Sequence, residues 1–143
     1  TIHQQRWRYL LGRSYEECGL PEAGLAEYRR YWADWRDEPE SVWRDRVCYR
    51  SGIILLAQAK DQRERGIPSA ALKLLDEVHQ MECEVDQQAE AYYQEGLCYE
   101  ALGQPEEALK SYRRCLDLPQ NAGGNGRDEA RKRIVELRAS GVH

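Results

Sequence analysis

A chain of 143 residues, 41% hydrophobic and 32% charged, with 21 basic against 25 acidic groups, has the composition of one water-facing domain. Its longest apolar run, Gly52 to Ala57, is far short of the about 20 residues that a membrane span needs. Charge is spread evenly: residues 1–42 carry 6 basic and 8 acidic groups, 43–85 carry 7 and 7, and 86–143 carry 8 and 10, which gives no polyanion-binding face.

The aromatic set is 9 Tyr and 4 Trp with no Phe, so nearly all aromatic mass has a polar tip suited to interfaces as well as cores. Five cysteines, Cys18, Cys48, Cys83, Cys98 and Cys115, include no C-x-x-C pair, and their odd number favours a reducing compartment. The chain starts at Thr1 with no basic-then-apolar leader, which suggests a trimmed or mature piece of a longer protein.

In chain order, Tyr9, Gly12 and Tyr15 stand three apart and predict a first helix with aromatic bulk on either side of a small contact point. Gly19-Leu20-Pro21-Glu22 then ends it: the glycine can turn left-handed, and proline is tolerated where a new helix has no use for its first N–H. The second helix carries small Gly24 five positions past Gly19 and Tyr28 four later, with Trp32 and Trp35 towards its end. A polar connection, Arg36 to Glu40, leads to Ser41, an N-cap for a long helix that runs to about Glu64. Trp43 opens that helix and is expected to close the joint with Trp32 and Trp35 by core packing.

The same signals recur twice. Tyr49, Gly52 and Leu55 precede Gly66-Ile67-Pro68-Ser69, after which come Ala71 and Leu75. Asp86 is expected to cap a further helix with Tyr93, Gly96 and Tyr99; Gly103-Gln104-Pro105-Glu106 follows, then Ala108 and Tyr112. A loop is expected over 119–126, and a last helix over 127–139 aligns Ala130, Ile134 and Leu137 on one stripe, as a capping helix should.

Three helical hairpins with these marks resemble the tetratricopeptide repeat, W-x2-L-G-x2-Y, then A-x3-F and a closing P over ~34 residues. Repeat three matches best, with Tyr92, Gly96, Tyr99, Ala108 and Tyr112 at the Trp, Gly, Tyr, Ala and Phe positions, and Pro119 within one place of the closing proline. Repeat one matches through Leu11, Gly12, Tyr15 and Tyr28, with Gly24 for the Ala and Trp7 one residue ahead of the Trp position. Repeat two is the most stretched. The resemblance implies an all-α, right-handed superhelical solenoid in one domain, 1–143, with repeats at about 5–36, 42–83 and 86–119.

No nucleophile elbow, H-E-x-x-H or phosphate-cradling loop occurs, and His3, His79 and His143 lie far apart, so neither catalysis nor a metal or other cofactor is expected. The resemblance instead implies a non-catalytic interaction module whose first helices line a concave groove. The groove positions would be Arg6, Tyr9 and Arg13; Arg46, Tyr49, Arg50 and Ile53; and Glu90, Tyr93, Gln94 and Leu97, with the three tyrosines as a ladder for an extended or helical segment of a partner protein. Arg6, Arg46 and Arg50 would suit an acidic partner. An RNA-binding helical repeat is the alternative, but Glu90 and Gln94 replace Arg46 and Arg50 in the third repeat, which interrupts a basic track. Cytoplasmic residence is expected. A periplasmic envelope-assembly scaffold is the alternative, and self-association through the Trp region or an uncapped first repeat is a further expectation.

Overall fold

The computed structural model describes residues 1–38, 41–119 and 126–143, so Pro39, Glu40 and most of the loop expected at 119–126 lie outside the described residues. Within them the chain forms α1 (Ile2–Glu17), α2 (Pro21–Trp35), α3 (Val42–Glu64), α4 (Pro68–Gln80), α5 (Val85–Ala101), α6 (Pro105–Asp117) and α7 (Arg127–Ala139), with no strand among the described residues. The all-α helical-repeat class read from the sequence is the observed one.

The G-x-P marks work as their chemistry demands. Gly19, Gly66 and Gly103 take left-handed φ of 77°, 81° and 72°, and each following proline opens a helix at its first turn. The residue between them is Leu20, Ile67 or Gln104, yet all three share φ near −118° and none caps with its side chain. Turn shape is therefore set by the glycine and proline alone.

Ser41 is the helix start that the sequence indicates: its Oγ accepts from the Arg44 amide at 3.4 Å. The same hydroxyl donates to Gln5 Oε1 at 2.7 Å, an oxygen that also accepts from Tyr31 Oη at 2.8 Å, which ties the start of α3 to α1 and α2. Asp86 does not cap α5. Glu84 takes that place, and Asp86 sits in the first turn, 3.5 Å from the buried guanidinium of Arg127.

Two compact units result, Thr1–Ile54 and Leu55–His143. In the first, Leu25, Tyr28, Tyr31, Val47 and Ile54 are buried; in the second, Leu55, Leu75 and Val78 are buried, as is a cluster of Ala89, Ala108, Leu109, Tyr112, Cys115, Ala130, Ile134 and Leu137.

One arrangement occurs in both units. The ring of Tyr28, fully buried on α2, lies against Gly12 of α1 so closely that a methyl group there would overlap it; Tyr112 of α6 lies against Gly96 of α5 in the same way. Tyr28 Oη donates to Glu16, one turn after Gly12, and Tyr112 Oη donates to Glu100, one turn after Gly96. An arginine from the next helix closes each set. Arg50 of α3 donates from Nε and Nη2 to the two Glu16 oxygens at 3.2 and 2.6 Å, and Arg133 of α7 donates from Nε at 3.1 Å and from Nη2 to the Glu100 carboxylate.

Burial works against the charge on Glu16, but hydrogen bonds from Arg50, Tyr28 and Arg13 outweigh it and hold the carboxyl below the usual carboxylate range. At Glu100, burial is likewise outweighed by Arg133 and Tyr112. Burial, with the adjacent carboxylate, pushes both phenols well above the ordinary tyrosine value, so the two hydroxyls remain donors.

At the equivalent positions of repeat two the chemistry changes. Leu75 replaces the tyrosine, Leu56 the glutamate and Gln94 of α5 the arginine, and Gln94 Nε2 donates to the Leu56 carbonyl oxygen at 3.3 Å. Gln94 also donates to Glu90 at 3.3 Å.

Gly96→Ala should destabilise the protein by about 2 kcal/mol, because displacing an anchored ring outweighs the ~1 kcal/mol that alanine gains in a helix. A urea midpoint at or above the wild-type value would refute the close contact. The depressed carboxyls of Glu16 and Glu100 contribute stability that is complete above the ordinary value of 4.5 and lost as pH falls through their lower folded values. The thermal midpoint should therefore drop between pH 5 and pH 3 by less in Glu16→Gln with Glu100→Gln than in the wild type; equal drops would show that other carboxylates dominate acid unfolding.

Candidate functional site

Helical register separates the groove positions into two classes. On α3, Val47, Ser51 and Ile54 are buried and Arg50 is held by Glu16, whereas Arg46, Tyr49 and Ile53 lie on an adjoining exposed face. Tyr49 keeps 43% and Ile53 37% of its surface exposed, large for apolar bodies on a helix that also buries a full stripe. Arg46 places its guanidinium 4.9 Å from the Trp43 ring and 6.0 Å from the Tyr9 ring.

Tyr9 of α1 is half-buried between Tyr28, 6.3 Å away by ring centroids, and Trp43, 5.5 Å away. It is thus a platform under Arg46 rather than a free rung. Arg13 pairs with Glu16 at 3.3 Å and Glu17 at 3.5 Å, and Arg6 is exposed. In the first unit the structure therefore brings Tyr9, Trp43, Arg46, Tyr49 and Ile53 to one surface and commits Arg13 and Arg50 to Glu16.

The positions on α5 are more enclosed. Tyr93 packs on Tyr112 at 6.1 Å and covers Gly126 at the start of α7, where a side chain would overlap its ring. Leu97 is half-buried against the core cluster, and Gln94, 4% exposed, is turned inward to the Leu56 carbonyl. Gln94 is accordingly a packing residue, because the helix position that carries an arginine arm in α3 and α7 faces the preceding hairpin.

The tryptophans separate by role. Trp43 was legible as packing and does pack; Trp35 lies 5.2 Å from Tyr31, and Trp32 sits under Arg44 at 5.3 Å. Trp7 departs. Standing one residue ahead of the family position, it is rotated off the paired helix and is 74% exposed, while Arg8 in the aligned place binds Glu27 at 2.9 Å. A hollow of about 670 Å³ lies beside Trp7, lined also by Gln4, Arg8, Leu11, Asp34 and Trp35; another of about 280 Å³ is lined by His3, Arg6, Trp7 and Leu10. Sequence spacing could have flagged this surface, since three large apolar residues within five positions on one turn-and-a-half exceed what the paired helix can cover.

Nucleophiles and metal ligands are poorly placed. Cys48, Cys83, Cys98 and Cys115 are buried, Cys18 is exposed, and burial pushes the Cys98 and Cys115 thiols up to about 11, far from a reactive thiolate. His79 stacks on Tyr92 at 4.1 Å and meets Glu95 at 2.9 Å between α4 and α5. Among the described residues no group of three or more His, Cys, Asp or Glu could hold a metal ion, and no helix is long and apolar enough to cross a membrane.

Neither the curated proteins nor the solved structures contain a match to the chain. A family comparison does: residues 89–118, which span most of α5, the Gly103–Pro105 turn and all of α6, match the tetratricopeptide repeat.

Proposed function

We propose that the chain is a non-catalytic protein-interaction module that holds an extended or helical segment of another protein against the exposed face of its first helices. The observation that carries this reading is the surface of Arg46, Tyr49 and Ile53 on α3 beside the Tyr9–Trp43 pair. Tyrosine offers a large rigid contact at low entropic cost, and an isoleucine one turn on adds apolar area. Stacking uses the face of the Arg46 guanidinium and leaves its in-plane donors for a carboxylate, which favours an acidic-apolar segment. On α5, Tyr93 and Leu97 keep partial exposure and offer a similar contact, while Gln94 does not.

The buried repeat skeleton supports the same reading, because a surface held by close-packed helices need not be ordered when a partner arrives. Exposed Cys18 supports a reducing, cytoplasmic setting, since an oxidising compartment would leave it open to cross-linking.

Selection from a random-peptide display library on the wild-type chain should enrich segments that combine Asp or Glu with large apolar residues. Arg46→Glu with Tyr49→Ala changes two exposed side chains and should weaken the selected peptides by about tenfold or more with helicity unchanged. Peptides that bind both proteins equally would remove this face from the function, and binding that instead tracks added RNA and falls steeply with salt would replace the reading.

A further inference from the structure

α3, α5 and α7 with its N-cap each turn the same five-position stripe towards the hairpin before it, ten of the fifteen residues being buried and five half-buried. On α3 the stripe is Trp43, Val47, Arg50, Ser51 and Ile54; on α5 it is Gln87, Ala91, Gln94, Glu95 and Cys98; on α7 it is Gly126, Ala130, Arg133, Ile134 and Leu137. The matching stripe on α1 is His3, Trp7, Leu10, Leu11 and Ser14, and all five are exposed, Trp7 at 74% and the two leucines at about 40%.

Two substitutions make this stripe unlike the other three. The second position is small in every covered helix, Val47, Ala91 or Ala130, but is Trp7 here; the third carries a polar arm, Arg50, Gln94 or Arg133, but is Leu10 here. Where the covered helices set a small second residue and a polar third against their neighbour, α1 therefore presents Trp7 and Leu10. Trp7 stands instead as a ridge between the two hollows of about 280 and 670 Å³.

We infer that the α1 face is the two-fold interface of a homodimer, in which Trp7 of each chain enters the larger hollow beside Trp7 of the other. A surface that presents both ridge and hollow is self-complementary, which an isologous contact requires. Its charges agree. Arg6 borders the smaller hollow and Asp34 the larger, neither makes an ion pair within the described residues, and seating Trp7 in the partner's larger hollow carries Arg6 towards Asp34 of the partner subunit. Trp7, Leu10 and Leu11 together leave roughly 330–370 Å² exposed, most of the apolar share of the ~800 Å² per partner in a standard interface. This surface is separate from the Arg46–Tyr49–Ile53 face, so either assignment can fail alone.

Sedimentation equilibrium of the full chain should show a reversible monomer–dimer exchange. Trp7→Glu should raise its dissociation constant by roughly thirtyfold or more. Arg6→Asp should weaken the dimer, and Arg6→Asp with Asp34→Arg should restore it, while helicity stays at the wild-type level throughout because these side chains are exposed. A wild-type chain that stays monomeric at the highest soluble concentration, or a dimer indifferent to Trp7→Glu, would overturn the inference and leave the face to another protein or to a different helical segment.

Discussion

The distance between the paired helices of repeats one and three is set by a tyrosine ring lying against a glycine. Tyr28 over Gly12 and Tyr112 over Gly96 bring each second helix as close to its first as a side-chain ring permits, and the phenol oxygen then arrives at a carboxylate one turn further on. Gly24 extends the same constraint in repeat one, since a methyl group there would come within 2.8 Å of the Gly12 carbonyl oxygen. With the helices at that distance, Glu16 or Glu100 also stands within reach of the next helix, which binds it through Arg50 or Arg133. One close contact thus fixes the hairpin and also chooses the arm that attaches the following element.

Repeat two shows which part of the device is needed. It keeps a small residue at Gly52 and Ala71 but replaces the charged trio by Leu75, Leu56 and Gln94, and the arm now bonds a backbone carbonyl instead of a carboxylate. The amide is the less complete solution, since Gln94 Nε2 donates while Gln94 Oε1 is buried with no hydrogen-bond partner among the described residues. The ionic version desolvates three groups at once and rests on complete hydrogen bonding, whereas the apolar one needs a single amide. At the ring position in repeats one and three the hydroxyl has a partner, so tyrosine contributes packing and a hydrogen bond where phenylalanine would leave the carboxylate one donor short.

Much of the fold was legible because its signals are local. The three G-x-P marks, Ser41 before α3 and the bounds of α7 depend only on residues within a turn or two, and these agree with the structure. Asp86 failed as a cap because Glu84 starts the helix two residues earlier and Arg127, 41 positions on, pairs with Asp86. The assignment of arginines was the least legible feature. Arg46 and Arg50 lie one turn apart, and nothing in their spacing says that one meets Glu16, 34 residues away, while the other stays exposed on two aromatic rings. Long-range pairs of this kind are decided by which stripe faces the preceding hairpin, and that becomes readable only when the helices are superposed position by position.

The same superposition separates what the repeat must conserve physically from what it can change. On α3 the positions 47, 50, 51 and 54 are committed to packing, and 46, 49 and 53 lie on the adjoining, more exposed side of the same helix. A change at Tyr49 alters the exposed face without opening a cavity, whereas a change at Arg50 strands the Glu16 carboxylate, whose remaining partners are Tyr28 and Arg13. The packing row and the exposed row therefore lie side by side on one helix. Because the rows differ by a single residue step, the chemistry of the adjoining row can vary from repeat to repeat, as Arg46 and Glu90 do, while the buried row keeps the helices in place.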